Sequence, residues 1–388
     1  MLFNAQQGKA NLRRKLSKKL SLRLILIVPF LLQICLAVGL TGWLSLKNGQ
    51  KAVKDVAKQL SSEVTERIAQ NLITFLDTPH QINQVNAAAI RQGQLNIRNL
   101  AQLQRQFWEQ IHIFKTVAAI TIGNEQNEFL GVENRDRREL VVMRSDLATD
   151  YSLLTYSAST SGDPLDLRAI DRNYDPRMRP WYRAAAQSGR PTWSQIFPQF
   201  TTQDLTIAAV QPFYNKDGKL EAVLSTSLYL LQVGEFLRSL KIGQTGQSFI
   251  IEPNGFIVAT STEEKPFLSD LRTIDRLQAS NSSNPLTQST ARFLARNFTD
   301  LDRIRASESL VFDFDGKAQY VQVQPLRDSK GLDWLIVVVL PEDDFMEQIH
   351  TNTRTTILLC LCALAIAIIL GVITSHWITQ PIFGLIAA

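Results

Sequence analysis

Cysteine is almost absent from this sequence, and its few occurrences are confined to apolar segments. The 388 residues include 3 cysteines, Cys35, Cys360 and Cys362, which all lie in long runs of uncharged residues. The part of the chain between those runs therefore contains no thiol, which excludes a disulfide framework and cysteine chemistry there. That part has to be stabilised by burial of apolar side chains.

Motifs of catalysis and metal binding are also missing. Three of the 4 histidines, His80, His112 and His350, lie between the uncharged runs without the spacing of metal ligands. The sequence contains no G-x-S-x-G, no H-E-x-x-H and no glycine-rich phosphate-binding loop. It therefore predicts no catalytic residue, no metal site and no cofactor, and indicates that these 388 residues are not an enzyme.

The basic charge of the chain is confined to its N-terminus. Residues 1–23 contain seven Lys and Arg and no acidic residue. Removing these seven from the 41 Lys and Arg leaves 34, against 36 Asp and Glu, so the remainder carries a net charge of −2. A basic tail of this kind does not form a nucleic-acid-binding surface on a folded domain, and we expect no nucleic-acid partner.

Two uncharged runs predict membrane spans. Leu24–Leu46 would extend roughly 34 Å as a helix, enough to cross a bilayer, and a second run follows Arg354. The alternatives are buried helices of a soluble protein and, for the first run, a cleaved signal peptide, although its apolar stretch is too long for one. The basic residues before the first run place the N-terminus in the cytoplasm, so residues 47–354 are expected outside the inner (plasma) membrane, in contact with membrane lipid at both ends.

Apolar residues at spacings of three and four predict a helix over residues 51–76. They are Val53, Val56, Leu60, Val64, Ile68, Leu72 and Phe75. This stripe either packs on its own domain or pairs with a second copy as a homodimer, and both readings stay open. Pro79 is expected to interrupt or kink the helix, and helical spacing resumes over 82–114.

Strand periodicity begins near residue 117. Three predicted hairpins have turns at 124–127, 215–218 and 253–255, and a fourth has Asp315-Gly316 at its turn. Helices at the margins of such strands are typical of an α+β fold. The predicted organisation is a basic cytoplasmic tail (1–23), a first transmembrane helix (24–46), a stalk helix with connecting helices (47–115), a membrane-distal sheet module (116–260), a membrane-proximal sheet module (261–350), a second transmembrane helix (355–376) and a final segment (377–388).

One segment, residues 173–185, is dense in arginine and aromatic residues. Arg179 and Trp181 flank Pro180 at a predicted helix start, where the prolyl ring fixes their relative direction. A guanidinium beside aromatic faces can bind a carboxylate while excluding water. The alternative is an arginine–aromatic stack that only closes a loop.

These residues resemble the double-Cache (dCache) sensor domains of bacterial transmembrane receptors. The resemblance covers about residues 50–388 and is most specific in the Asp175–Tyr182 block. Further matching positions are Trp193, Asp217-Gly218-Lys219, Gly243, Gly246, Phe249-Ile250-Ile251, Gly255, Leu332-Asp333-Trp334 and Leu340-Pro341-Glu342. Residues 377–388 resemble the start of a HAMP linker. The resemblance implies an α+β fold with a long N-terminal helix and two PAS-like antiparallel-sheet modules between two transmembrane helices.

The resemblance also implies ligand-binding positions. In the amino-acid-binding branch of the family an Arg and a Trp bind the ligand carboxylate, and Arg179, Trp181 and Tyr182 match that part. The ammonium-binding Tyr and Asp fall on Phe197 and Ser227, so both of these positions are altered. A serine hydroxyl offers an ammonium only one neutral partner. Ordinary α-amino acids are therefore disfavoured, whereas a carboxylate without the amine stays compatible.

The expected function is that of an extracytoplasmic small-molecule sensor. Ligand occupancy would be relayed through the second transmembrane helix and the HAMP linker to a cytoplasmic output, such as a nucleotide cyclase or a histidine kinase, that is not present in this chain. The alternative is a truncated receptor or a membrane-anchored extracytoplasmic binding protein without an output.

Overall fold

The structure is a computed structural model, which describes residues 22–135, 138–200, 204–269, 274–344, 354–355, 357–371 and 373–374. By contacts the chain divides into two compact units, one of residues 57–344 and one of residues 1–56 with 345–388. The basic tail up to residue 21 and the HAMP-like residues 377–388 lie outside the described residues.

The longest element is helix α1 (Leu22–Arg91), followed by α2 (Leu100–Ile113). Helix α1 is not interrupted at Pro79, so that part of the prediction was wrong. The residues just after Pro79 are held by contacts that outweigh the lost backbone hydrogen bond: Ile82 is buried, and the buried Asn83 amide donates to the Ala209 carbonyl at 2.8 Å.

The first sheet contains nine strands, and each pair of neighbours is antiparallel. They are β1 (Val117–Asn124), β2 (Phe129–Arg135), β3 (Glu139–Ser145), β4 (Leu153–Ala158), β5 (Pro164–Asp171), β6 (Thr192–Trp193), β7 (Phe197–Pro198), β8 (Leu205–Tyr214) and β9 (Leu220–Tyr229). The order is β5-β4-β3-β2-β1-β9-β8-β6, and β7 also pairs with β8. Strands β1 and β9 are therefore central.

Helices cover both faces of this sheet. One face packs against α1 and α2 through a core that includes Ile82, Phe107 and Trp108. The other face packs against α3 (Pro180–Ser188), with Trp181 and Tyr182 in the shared core. Because side chains alternate along a strand, neighbouring residues of β9 serve different cores.

The second sheet follows α4 (Leu230–Ser239). The strands that follow in the chain are β10 (Gln247–Ile251), β11 (Ile257–Thr260), β12 (Phe267–Ser269), β13 (Ile274–Arg276), β14 (Glu308–Phe314), β15 (Lys317–Arg327) and β16 (Asp333–Pro341), with α5 (Pro285–Asn297) between β13 and β14. Five of them form a sheet in the order β11-β10-β16-β15-β14, and β12 pairs with β13. The α+β fold with a long helix and antiparallel sheets is thus confirmed.

The expected module boundary at residue 260 needs correction. Strand β10 pairs with β16 over Gln247–Ile251, and β11 pairs with β10, so residues 247–260 belong to the second sheet. Their hairpin pattern predicted local pairing correctly, but pairing with a strand far along the chain leaves no local signal. The two sheets meet where the Trp193 indole donates a 2.7 Å hydrogen bond to Asp328 in the β15–β16 loop.

The unit that comprises residues 1–56 and 345–388 is described only in its helical parts. Among the described residues, no helix combines the length and the apolar character needed to cross a membrane, so the predicted spans at 24–46 and 355–376 are not confirmed.

Candidate ligand-binding site

The start of α3 is fixed by a local network in the arginine-rich segment. Asp175 caps a 3-10 turn at Pro176–Met178, where its carboxylate accepts the Arg177 backbone N–H at 2.8 Å and pairs with the Arg177 guanidinium at 2.9 Å. Arg177 also donates to the Glu125 carbonyl at 3.1 Å. Arg179 then takes an extended conformation before Pro180, the first helical residue, which sets the direction of both Arg179 and Trp181.

Four of the five predicted site residues line one cavity between the first sheet and α3. Arg179, Trp181, Phe197 and Ser227 meet there, together with residues that the sequence analysis did not single out: Ala119, Thr121, Phe129, Met143, Leu153, Tyr174, Gln199 and Phe200. Tyr182 is not among the described lining residues. It is buried, and its hydroxyl donates to the Glu125 carboxylate at 2.6 Å, so it fastens α3 to the β1–β2 turn.

The cavity is closed in this structure. Its volume is about 30 Å³, close to the space of one water molecule. The Arg179 guanidinium lies 5.2 Å from the Phe200 ring centroid and 5.8 Å from that of Phe197. These cation–π contacts fill the space beside the guanidinium, so a ligand can enter only if Phe200 or Arg179 moves.

Arg179 is a half-buried cation. Burial lowers the pKa of its guanidinium, and the Tyr174 phenol opposes that shift. The only hydrogen bond of the guanidinium within the described part of the chain is a long one, 3.5 Å, to the Pro198 carbonyl. An arginine remains protonated in proteins, so the cavity wall carries a positive charge without a carboxylate partner among the described residues.

A buried carboxylate lies on the same face of the sheet. Glu133 of β2 is 0% exposed and accepts hydrogen bonds from Gln199 and from Tyr229. Its role could not be predicted from the sequence, because an acidic residue at the end of an apolar segment is usually solvated. Only the strand register brings it towards the cavity.

The opposite face of β9 contacts the long helix. The Thr226 hydroxyl donates to the Asn83 side-chain oxygen of α1 at 2.7 Å, while the next residue, Ser227, lines the cavity. One strand therefore separates the cavity from α1.

A larger depression of about 610 Å³ lies near the start of α2, but it lacks a comparable charge. It is lined by Arg98, Glu128, Arg144 and Asp146, among others. Arg144 already pairs with Asp146, and Arg98 lies 4.0 Å from Glu221. The smaller cavity is therefore the better candidate for specific recognition.

Curated relatives match part of the chain at low identity. The methyl-accepting chemotaxis protein PctB of Pseudomonas aeruginosa is 22% identical over 216 residues, which is 56% of this chain and 29% of that protein. Adenylate cyclase 1 of Rhizobium meliloti is 21% identical over 240 residues, 61% of this chain and 34% of that protein. The chain thus spans about a third of the length of these relatives.

The chain also resembles solved structures of ligand-binding domains, and a family model matches most of its length. The ligand-binding domain of the Pseudomonas fluorescens chemoreceptor CtaA, in complex with L-isoleucine, has a TM-score of 0.49 and 17% identity, covering 77% of this chain and 98% of that one. The ligand-binding domain of the Pseudomonas aeruginosa amino acid chemoreceptor PctC, in complex with GABA, has a TM-score of 0.47 and 20% identity, covering 74% and 99%. The dCache_1 family model, described as a Cache domain, matches residues 49–349. Because this match covers most of the chain, the protein belongs to the dCache_1 family of Cache domains.

Proposed function

We propose that this chain is the extracytoplasmic sensor of a transmembrane signalling receptor and that it binds a small carboxylate in the cavity beneath α3. The observation that carries this proposal is the position of Arg179, a half-buried cation at the cavity wall with no carboxylate partner among the described residues.

A charge that is partly removed from water is destabilised. A guanidinium taken out of water loses hydration that aromatic faces and one long hydrogen bond replace only in part. A ligand carboxylate restores it, because its two oxygens match the parallel N–H groups of arginine. Binding therefore exchanges the contacts of Arg179 with Phe197 and Phe200 for a charge-assisted pair.

The test is a screen of small carboxylates on the full chain in lipid nanodiscs. Ligands are found by thermal shift and measured by calorimetry, and Arg179→Ala should weaken binding by about 10- to 150-fold, the loss expected for a charge-assisted hydrogen bond. Arg183→Ala is the matched control, because Arg183 is an exposed arginine on α3, four residues after Arg179. Equal binding by Arg179→Ala and wild type would contradict the proposal and would show that Arg179 only closes a loop by stacking on aromatic residues.

The membrane placement is part of the same proposal. It is supported by the uncharged run Leu24–Leu46 and by apolar side chains of α1 such as Leu36, which is 65% exposed. The basic tail favours a cytoplasmic N-terminus, and relay through residues 355–388 requires a cytoplasmic C-terminus. Reporter fusions after residue 46 and after residue 380 should report outside and inside, respectively. An outside signal at residue 380 would contradict the receptor proposal.

We also propose that two chains pair along α1. Val56 is 53% exposed on the predicted stripe, whereas Val53 is 6% exposed and already packs within the chain. A cysteine at Val56 should therefore cross-link in membranes better than a cysteine at Lys54 or Lys58. Equal cross-linking at all three positions would favour packing within one chain.

A further inference from the structure

A row of lysines follows the first uncharged run on helix α1. Residues 47–58 contain four lysines and one acidic residue, Asp55. Three of these lysines, Lys47, Lys51 and Lys54, belong to the same compact unit as the run and are exposed. None of the three has a carboxylate partner among the described residues. The sensor function proposed above gives these charges no role.

Helical spacing places the three lysines on one side of α1. Positions 47, 51 and 54 are separated by four and three residues, so at about 100° per residue they fall within an arc of about 60°. Val53 and Val56 lie at least about 100° away from each of them. The lysines therefore stay accessible when α1 packs through Val53 and pairs with a second copy through Val56.

Trp43 extends the same side of the helix towards the uncharged run. It is exposed, and the Lys47 Nζ lies 5.1 Å from the centroid of its ring. Leu40 and Leu44 beside it are exposed as well. Tryptophan is enriched where a membrane meets water, because its ring is apolar and its N–H is polar. Trp43 and Lys47 therefore lie at the boundary between an apolar and a charged part of this surface.

The position of each lysine along α1 determines whether it reaches the lipid headgroups. At about 1.5 Å per residue, Lys47 lies about 2 Å beyond Leu46, Lys51 about 8 Å and Lys54 about 12 Å. The headgroup layer is roughly 5–8 Å thick, and its surface potential extends about 10 Å further at moderate salt. All three ammonium groups therefore lie within that potential, and flexible lysine side chains can bend towards the interface.

The arrangement of these charges fits a surface rather than a single small anion. The three lysines are spread over about 10 Å of helix, so one free phosphate could contact only one or two of them. An anionic membrane presents many phosphates side by side and can pair with all three. Each lysine close to such a surface strengthens the attraction by about 5-fold.

We propose that Lys47, Lys51 and Lys54 bind the anionic headgroups of phospholipids in the outer leaflet, with the Trp43 ring at the boundary of the acyl chains. This inference rests on the membrane placement in the proposed function and concerns a surface separate from the ligand cavity. The contact fixes the height and the rotation of α1 relative to the bilayer.

The test is photo-cross-linking to lipid in the full chain. Benzoylphenylalanine replaces Gln50, an exposed residue between Lys47 and Lys51, and the protein is placed in nanodiscs of equimolar phosphatidylglycerol and phosphatidylcholine with the same acyl chains. Mass spectrometry gives the ratio of the two lipid adducts. Wild type should favour phosphatidylglycerol, Lys51→Gln should lower the ratio about 5-fold, and Lys51→Gln with Lys54→Gln should lower it about 25-fold.

Lys58→Gln is the matched control. Lys58 is also exposed on this side of α1 but lies about 18 Å beyond Leu46, so its removal should change the ratio by less than about 2-fold. All these variants retain the basic N-terminal tail, so lipid bound by the tail does not account for a difference. Because the changed residues are exposed, the melting temperature should stay that of wild type.

The outcomes separate this proposal from the proposed function. A ratio that the double variant leaves unchanged would overturn the lipid contact and show that these lysines only solvate α1. A ratio that inorganic phosphate lowers more than chloride at equal ionic strength would overturn it too, because the lysines would then bind a free anion. A reporter fusion after residue 46 that signals inside, with the lipid preference intact, would contradict the proposed topology and leave the lipid contact standing.

Discussion

The imidazole of His80 stands edge-on against the indole of Trp193, with 4.6 Å between the ring centroids and 83° between the ring planes. This contact joins the long helix to the first sheet at the place where Trp193 also bonds Asp328 of the second module. His80 is 3% exposed, and within the described residues its Nε2 has no hydrogen-bond partner.

The first prediction is that stability falls on mild acidification. Burial lowers the pKa of His80 from 6.5 to about 4, with a further lowering by the Lys330 charge and an opposing effect of Asp328. Between these values the unfolded chain binds a proton that the folded chain does not. The unfolding free energy contributed by this group is therefore complete above pH 6.5 and is lost as the pH falls towards 4, by about 2 kcal/mol between pH 7.5 and pH 5.

Urea unfolding of wild type and His80→Phe at these two pH values measures the effect. The variant should lose about 2 kcal/mol of the pH dependence, whereas His112→Ala, which changes an exposed histidine, should retain it. An unchanged profile in His80→Phe would assign the pH dependence to other groups.

A second prediction concerns entry to the closed cavity. Phe200 is 42% exposed and covers the Arg179 guanidinium. Phe200→Ala should remove this cover and a competing contact of about 0.5–1 kcal/mol, so ligand should bind about 2- to 5-fold more tightly and associate faster in stopped-flow measurements. Tyr214→Ala, another exposed aromatic of this module, should have no effect. Slower association in Phe200→Ala would instead identify Phe200 as a ligand contact.

A third prediction tests the attachment of α1 to the sheet. Asn83→Ala removes the partners of the Thr226 hydroxyl and the Ala209 carbonyl, both buried. An unsatisfied buried polar group costs about 1–3 kcal/mol, so the unfolding free energy should fall by about 2–4 kcal/mol. Gln59→Ala removes an exposed hydrogen bond on the same helix and should change it by less than about 0.5 kcal/mol. Similar losses in the two variants would show that Asn83 is not a specific anchor.

A fourth prediction concerns the loop at residues 243–245, whose backbone N–H groups bind the Asp344 carboxylate. The Asp344 carboxylate accepts the backbone N–H groups of Gln244 at 2.8 Å and Thr245 at 2.9 Å, and Gly243 has a φ of +63° with no room for a β-carbon beside that carboxylate. Gly243→Ala should therefore displace Asp344 and destabilise the protein. Gly218→Ala is the matched control, because Gly218 has a φ of +75° and open space around it, so it should cost only about 1 kcal/mol of backbone strain. Equal melting temperatures of the two variants would contradict the clash.

Strands that pair with a neighbour in the sequence and bury side chains could be predicted from the sequence. Exposed strands, and pairings between distant segments, could not. The hairpin of β8 and β9 was predicted with its turn at 215–218 because apolar strand segments and turn residues specify it locally. Strand β5 was missed because nearly all of its residues are exposed, so burial imposes no period on it. The pairing of β10 with β16 was missed because nothing near residue 250 records a contact with residue 336.

The same distinction applies to the candidate site. Arg179 and Trp181 stand out because Pro180 and the aromatic residues around them form a contiguous motif. Glu133 does not, because its position beside the cavity depends on the pairing of β2 with β1 and of β1 with β9. Tyr182 was placed in the site by its neighbours in sequence, whereas helical rotation directs it to Glu125.

Successive side chains of β9 point to opposite faces of the sheet, so this one strand contacts both the cavity and the long helix. Thr226 holds Asn83 of α1, and Ser227, the next residue, lines the cavity on the opposite face. We expect a ligand that shifts Ser227 to shift the attachment of α1 as well, which would link occupancy and helix position thermodynamically. Such linkage is reciprocal. The free energy by which ligand binding favours one helix position equals the change in the free energy of ligand binding when a partner, a membrane or a substitution stabilises that position.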